Sequence, residues 1–412
     1  MRCTAFACTS AVTSPRRSGS TFTATSSGEY TAWTVPIRPA MCSKYRPVFL
    51  SSGVAGRETT RTRSPSFQEG MRAVYPPPRS RRPGRPRSAR AVRPGAIMTA
   101  TAMIPAVRKP SPVRPGDRVR IVSPASPLDE ATVRQGMRLL EERGYLVDLG
   151  PHALLSSGYL AGPDELRARD LQEAFLDPEV KAVFCSRGGY GTSRILPMLD
   201  LDAMAASRTL FLGYSDVTVL HLALNRRGLP SVYAPMPITL SSPKEPWVYE
   251  SLFRAFAGDT RVPDEAPKAE CVVPGVAEGI VVGGTLCLLT DAIATPEEMD
   301  LEGKIVMIED VDEYNYRVDA MLTHLLNAGR IQKAAGIVVG EMTRSDSKIE
   351  PSIDGWKWKD VVRDRLAPLG IPMVWDYPFG HNRAMLSVPM GIRARLDAEA
   401  GTLEYLEPLC ED

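Results

Sequence analysis

From Val113 onwards, short apolar runs alternate with amphipathic stretches of helical period, and no other feature restricts the fold so strongly. Residues 118–123, 145–149, 180–185, 209–212 and 231–234 read as strands. Residues 129–143, 163–175, 192–199 and 217–225 read as the helices between them. Val133, Met137, Leu139 and Leu140 give the first helix its apolar face, and Gly144 stops it. Strand, crossover helix and strand in repetition predict a mostly parallel sheet with helices on both faces. This first lobe spans residues 113–240. Residues 241–278 carry Pro243, Pro246, Pro263, Pro267 and Pro274 and read as a connector with one helix near 249–256. A second lobe, 279–410, opens with the segment 279–284 and holds strands at 304–308, 336–340 and 373–375. Helices are expected from Thr285 and over 317–327 and 358–366, and a pair of strands over 386–395 and 402–406.

The first 97 residues have another character. They carry 17 Lys and Arg against three acids, whereas the rest of the chain carries 33 against 45. A near-neutral total therefore hides a basic tail on an acidic body. The tail is rich in Ser, Thr, Pro and Arg, keeps no helical or strand period, and cannot bury enough apolar area to offset chain entropy. A disordered extension is expected. A basic arm for nucleic acid and a transit peptide are alternatives. A twin-arginine export signal at Arg16-Arg17 or Arg81-Arg82 lacks the apolar segment that should follow. The simplest reading is a misassigned start, with Met98 as initiator. The acidic body argues against nucleic acid as partner. No run approaches the ~18 apolar residues of a membrane span. Seven cysteines, none in the body at metal-ligand spacing, predict neither a disulfide framework nor a zinc site and suit a reducing cytoplasm.

Chemistry is expected at the carboxyl ends of the parallel strands, where open α/β sheets bind ligands. Three polar or glycine-rich turns stand there: Ser123-Pro124-Ala125-Ser126, Ser186-Arg187-Gly188-Gly189-Tyr190-Gly191, and Gly213-Tyr214-Ser215-Asp216. Ser215 sits where an apolar strand turns sharply into a helix. Such a turn exposes a hydroxyl beside unpaired backbone N–H groups, which suits a nucleophile. Val217 replaces the glycine of the strict elbow pattern, and a helix N-cap is the other reading. The Arg-Gly-Gly-Tyr-Gly turn would cradle phosphate, or bring N–H groups beside Ser215 with Arg187 on a substrate carboxylate, or simply supply glycine dihedrals. In the second lobe, Glu309-Asp310 ends a buried strand, as a site edge or a solvated loop. Of four histidines, His221 and His324 lie within helical patterns, His152 has no evident acidic partner, and His381 follows Gly380 in an exposed loop. Ser215, Glu309 and His381 could supply nucleophile, acid and base, in that order along the chain.

Four segments together resemble the LD-carboxypeptidases, the S66 serine peptidases that also include the microcin C immunity hydrolases. They are 186–200 (SRGGYGTSRILPMLD), 212–218 (LGYSDVT), 308–311 (IEDV) with 316–322 (YRVDAML), and Gly380-His381. The likeness covers about residues 113–410. It implies a flavodoxin-like lobe carrying the nucleophile and a smaller β-rich α/β lobe carrying acid and base, usually as a homodimer. By that resemblance Ser215 is the nucleophile, His381 the general base and Glu309 the acid that orients it. The amide of Asp216, with that of Gly188 or Gly189, forms the oxyanion hole, and no metal or organic cofactor is implied. Arg187 and Tyr214 are the expected substrate contacts. The expected activity is hydrolysis of the bond between an L-centre diamino acid and a terminal D-alanine in muropeptides, with no nucleic-acid or membrane partner. An immunity-type hydrolase of peptidyl or aminoacyl nucleotides, using Trp247, Trp356 or Trp358 to stack a base, is the alternative. A non-catalytic binder of peptidoglycan fragments or nucleotides is the other.

Overall fold

A computed structural model describes residues 107–350 and 354–412. The expectations for residues 1–97, and for Met98 as initiator, fall outside them. Within the first lobe the apolar runs form β1 (Arg118–Val122), β2 (Leu146–Leu149), β3 (Val180–Cys185), β4 (Leu210–Gly213) and β5 (Ser231–Tyr233). They lie in the order β2-β1-β3-β4-β5, all parallel. This is the flavodoxin-like doubly wound order. Phe184, Leu210, Phe211 and Leu212 are fully buried because helices cover both faces of the central strands, which is why β4 and, after Lys181, β3 read as apolar runs. The helix Glu130–Glu141 begins where Asp129 accepts the Thr132 amide at 2.9 Å.

The second lobe is built on a seven-stranded sheet. Its strands are β6 (Glu270–Val273), β7 (Val276–Thr285), β8 (Ile305–Val311), β9 (Gly336–Thr343) and β10 (Met373–Trp375), with β12 (Arg393–Asp397) and β13 (Thr402–Tyr405) after β11 (Val388–Met390). β7 to β10 run parallel, β6 and β12 flank them antiparallel, and β13 pairs antiparallel with β12 at the edge. Ile305, Val306, Met307 and Ile308 are fully buried, so β8 ends in the interior. No helix among the described residues is long and apolar enough to cross a membrane.

Two expectations need correction. The connector is not merely a helix-bearing link. Besides the helix Pro246–Phe256 it supplies β6 and the start of β7. Pro267 and Pro274 bracket β6, and this edge strand is exposed at its first two residues, so it lacks the alternation that marks a half-buried strand. Residues 386–395 are not one strand. β11 pairs antiparallel with β5 and so extends the first sheet, whereas β12 lies between β7 and β13 in the second. The chain changes sheet at Gly391, where φ is +87° and a Cβ would lie 2.8 Å from Asn225 Nδ2. β11 is a short buried Val-Pro-Met and β12 alternates, and only that glycine marks the break between them.

Candidate active site

β4 ends at Gly213 and the chain then folds sharply. Tyr214 is extended, Ser215 takes a left-handed φ of +69°, and a 3-10 turn, Ser215–Val217, leads into the helix Thr218–Arg226. Positive φ is uncommon outside glycine and marks a conformation its surroundings enforce. Gly213 permits the close turn, since a Cβ there would lie 2.8 Å from Val217 Cγ2. His221 holds the strand end by donating from Nε2 to the Gly213 carbonyl at 2.9 Å and accepting from Ser231 Oγ at Nδ1. Burial pushes its pKa down to about 4, so the ring is a neutral packing group.

The Ser215 hydroxyl caps no helix. Its Oγ lies 3.0 Å from His381 Nε2, and His381 Nδ1 lies 2.7 Å from Glu309 Oε2. The His381 amide donates to the same carboxylate oxygen at 3.1 Å. Oε1 accepts from Tyr233 Oη at 2.6 Å and from Thr285 Oγ1 at 3.0 Å. Glu309 is fully buried, and four hydrogen bonds replace its water. Burial alone drives the Glu309 pKa upward, but the His381 charge and the hydrogen bonds from His381 and Tyr233 outweigh it, and the net shift is downward. Burial likewise works to lower the His381 pKa, and the Glu309 charge and hydrogen bond reverse this to a net rise above 6.5. A carboxylate acceptor at Nδ1 places the proton there and leaves Nε2 free to accept one from Ser215. Gly380 allows the loop to seat this way: its φ is +86°, and a Cβ would lie 2.3 Å from Glu309 Cγ.

The other expected residues are distributed around this centre. A Cβ on Gly188 would lie 2.7 Å from Ser215 Cβ, 2.8 Å from its Oγ and 3.2 Å from the Asp216 nitrogen, so the Gly188 backbone presses against the serine turn. Gly189, at φ +117°, faces Ser126 instead. The Asp216 amide opens the 3-10 turn, where N–H groups have no partner within the helix. Its buried carboxylate accepts the amide and hydroxyl of Thr192 at 2.8 and 2.6 Å, so it serves the neighbouring helix Thr192–Ile195. Arg187 is half-buried, and its partners are the Gly188 and Pro127 carbonyls rather than carboxylates. The Tyr214 ring lies 4.9 Å from that of His381, and its hydroxyl meets Thr239 Oγ1 at 3.1 Å. Strand alternation sends Asp310 to the opposite face from Glu309, where it accepts the Cys287 and Val311 amides. Burial and the Glu309 charge push its pKa up to about 6.

His152 does have an acidic partner, Asp170, 2.7 Å from Nδ1. The helix Asp164–Leu176 delivers that carboxylate from 18 residues away, and nothing near His152 in the chain announces it. His324 is exposed on its helix. Trp247 and Trp358 are buried and Trp356 is exposed. Sequence reasoning missed Tyr233, Thr285 and Thr218. Each lies at a strand end or first helical turn beside the triad, but none carries a motif. Among the described residues no group of three or more His, Cys, Asp and Glu side chains is placed to hold a metal ion.

Residues 119–234 match the LD-carboxypeptidase N-terminal domain and residues 278–396 the LD-carboxypeptidase C-terminal domain. A probable murein peptide carboxypeptidase of Bacillus subtilis is 37% identical over 307 residues, which cover 71% of this chain and 93% of that protein. The crystal structure of a muramoyltetrapeptide carboxypeptidase from Oxalobacter formigenes superposes with a TM-score of 0.61 at 29% identity, covering 69% of this chain and 97% of that one. A microcin C7 self-immunity protein, solved with aspartyl sulfamoyl adenosine, shares the fold with a TM-score of 0.65 at 22% identity, over 74% of this chain and all of the other.

Proposed function

This chain belongs to the LD-carboxypeptidase family, and on that premise we propose that it is a serine peptidase removing the terminal D-alanine from muropeptide tetrapeptides. The observation that carries this reading is the unbroken path from Ser215 Oγ through His381 to buried Glu309. In the proposed reaction Ser215 attacks the amide carbonyl as its proton passes to His381 Nε2. Glu309 stabilises the imidazolium through Nδ1. The amides of Asp216 and of Gly188 or Gly189 hold the oxyanion. His381 then gives its proton to the departing D-alanine nitrogen, and a water repeats the path to free the enzyme. An exopeptidase must read a free carboxylate, and Arg187 beside Tyr214 is the proposed reader. The B. subtilis and O. formigenes relatives are named for murein peptide and muramoyltetrapeptide substrates, which supports this class of small peptide. A cytoplasmic homodimer acting in peptidoglycan recycling completes the proposal.

Incubation with a free tetrapeptide stem and mass spectrometry test it. Loss of one alanine supports the reading. Inertness to stems together with cleavage of an aminoacyl sulfamoyl nucleoside would transfer the chain to the immunity branch.

Two further results are expected. His381 must be neutral to accept the serine proton, and its raised pKa keeps it protonated to a higher pH than an ordinary imidazole. A pH profile of kcat/KM should therefore fall as pH drops through a midpoint above 6.5. A midpoint near 5 would remove His381 as the base. Gly188→Ala places a methyl against Ser215 and forces the turn to shift, so kcat/KM should fall about 100-fold on the scale of a lost oxyanion donor. Thermal unfolding should also move down, by the roughly 1–3 kcal/mol that overpacking a buried turn costs.

A further inference from the structure

Ser215 is held through its backbone as well as its hydroxyl. Its N–H donates to Tyr233 Oη at 3.1 Å, and its carbonyl accepts from Thr218 Oγ1 at 2.7 Å. The same Tyr233 hydroxyl donates to Glu309 Oε1. The Thr218 oxygen accepts the Thr285 amide at 3.1 Å, and the Thr285 hydroxyl donates to Glu309 Oε1. Tyr233 Oη and Thr285 Oγ1 also lie 2.9 Å apart, so these two hydroxyls and Glu309 Oε1 form a triangle whose two protons both point to the carboxylate when it is ionised. The result is a closed ring from the nucleophile's amide, through the acid, back to the nucleophile's carbonyl. Ser215, Thr218 and Tyr233 belong to the first lobe, whereas Thr285 and Glu309 belong to the second. Gly284 lets the two approach: at φ +137°, a Cβ there would lie 2.7 Å from Thr218 Oγ1 and 3.0 Å from Tyr233 Cε2.

We propose that Tyr233 is a positioning residue whose single hydroxyl sets the left-handed serine turn and the acid at a fixed distance from each other, with Thr285 and Thr218 closing the ring. This rests on the serine-peptidase reading above. Tyr233 is fully buried in aromatic contact with Tyr214, His221 and Phe379, so its ring is fixed and only its oxygen is polar. In Tyr233→Phe the ring is kept, the Ser215 N–H loses its acceptor and Oε1 keeps one donor of two. A carboxylate with fewer donors is more basic and holds the His381 imidazolium more tightly. The charges of Glu309, Asp310, Asp312 and Arg344 also act on His381 and the Tyr214 ring lies against it, and the substitution leaves them all in place.

The test compares wild type, Tyr233→Phe and Thr285→Val in tetrapeptide cleavage and in labelling by a fluorophosphonate, which reports serine activation without the natural substrate. Tyr233→Phe should lower kcat and the labelling rate about 10- to 100-fold with KM nearly unchanged, and move the acid limb of the pH profile upward. Thr285→Val removes a Glu309 donor but spares the Ser215 N–H contact. It should move the limb the same way with a smaller loss of rate. Equal losses in the two variants would overturn the coupling, as would a Tyr233→Phe enzyme with unchanged rate and limb. A general packing defect would slow the enzyme without shifting the limb, and that result also counts against the proposal. If wild type labels but cleaves no stem, the substrate reading fails while the labelling rates still decide the role of Tyr233. A wild type that does not label would remove both.

Discussion

Ser215→Ala should lower kcat on a tetrapeptide stem by about 10⁵- to 10⁶-fold, the range seen when a triad nucleophile is removed. The loss follows from the geometry. Without Oγ there is no atom 3.0 Å from His381 Nε2 to attack the carbonyl, and no neighbouring side chain substitutes for it. A residual rate of about 10³ over water is expected from binding and backbone donors, which the substitution leaves intact. Stability should hardly change. Alanine at φ +69° is as strained as serine, and the one lost side-chain hydrogen bond contributes about 1 kcal/mol. Single-turnover kinetics with a thermal melt check both parts. A variant that retains a tenth of wild-type activity would exclude Ser215 as nucleophile.

Glu309→Gln is expected to cost about 10³- to 10⁴-fold in kcat, comparable to loss of the orienting acid in other triads. The carboxylate accepts at both oxygens, from His381 on one side and from Tyr233 and Thr285 on the other. A glutamine must turn its NH2 toward one side. Toward His381, the NH2 donates to Nδ1 and drives the proton to Nε2, so the ring offers Ser215 a donor where it needs an acceptor. Toward Tyr233, two hydroxyls lose their shared acceptor within a fully buried site, at roughly 1–3 kcal/mol for each group left unpaired. Activity and stability therefore fall together, unlike in Ser215→Ala. Kinetics beside denaturant unfolding separate the two patterns.

How much of this was legible in the chain depends on the range of the interaction. β3, β10 and the helix Trp358–Leu366 match their expected limits because local composition decides them: apolar runs between polar turns, or a helical period before a proline. Ser215, Glu309 and His381 could be named because each stands at the end of a recognisable element and because the family resemblance orders them. Tyr233 could not, since its partners lie 18 residues upstream and 76 downstream and its own strand, Ser-Val-Tyr, looks like any buried strand. Glu309 and Asp310 were indistinguishable by composition, and only the pleat of β8 decides which one meets the imidazole. The change of sheet at Gly391 was hidden for a similar reason. An apolar run or an alternation reports how far a strand is buried and not which sheet receives it.

That change of sheet fastens the base to both lobes at once. The segment just after the His381 loop is laced to the strand bearing Tyr233, with Val388 opposite Tyr233 and Met390 opposite Ser231. That ladder lies wholly within the first sheet, so the segment following the base is held by the same sheet that carries the serine turn. His381 is thus tied on its downstream side to the lobe that carries Ser215 and on its upstream side to the lobe that carries Glu309.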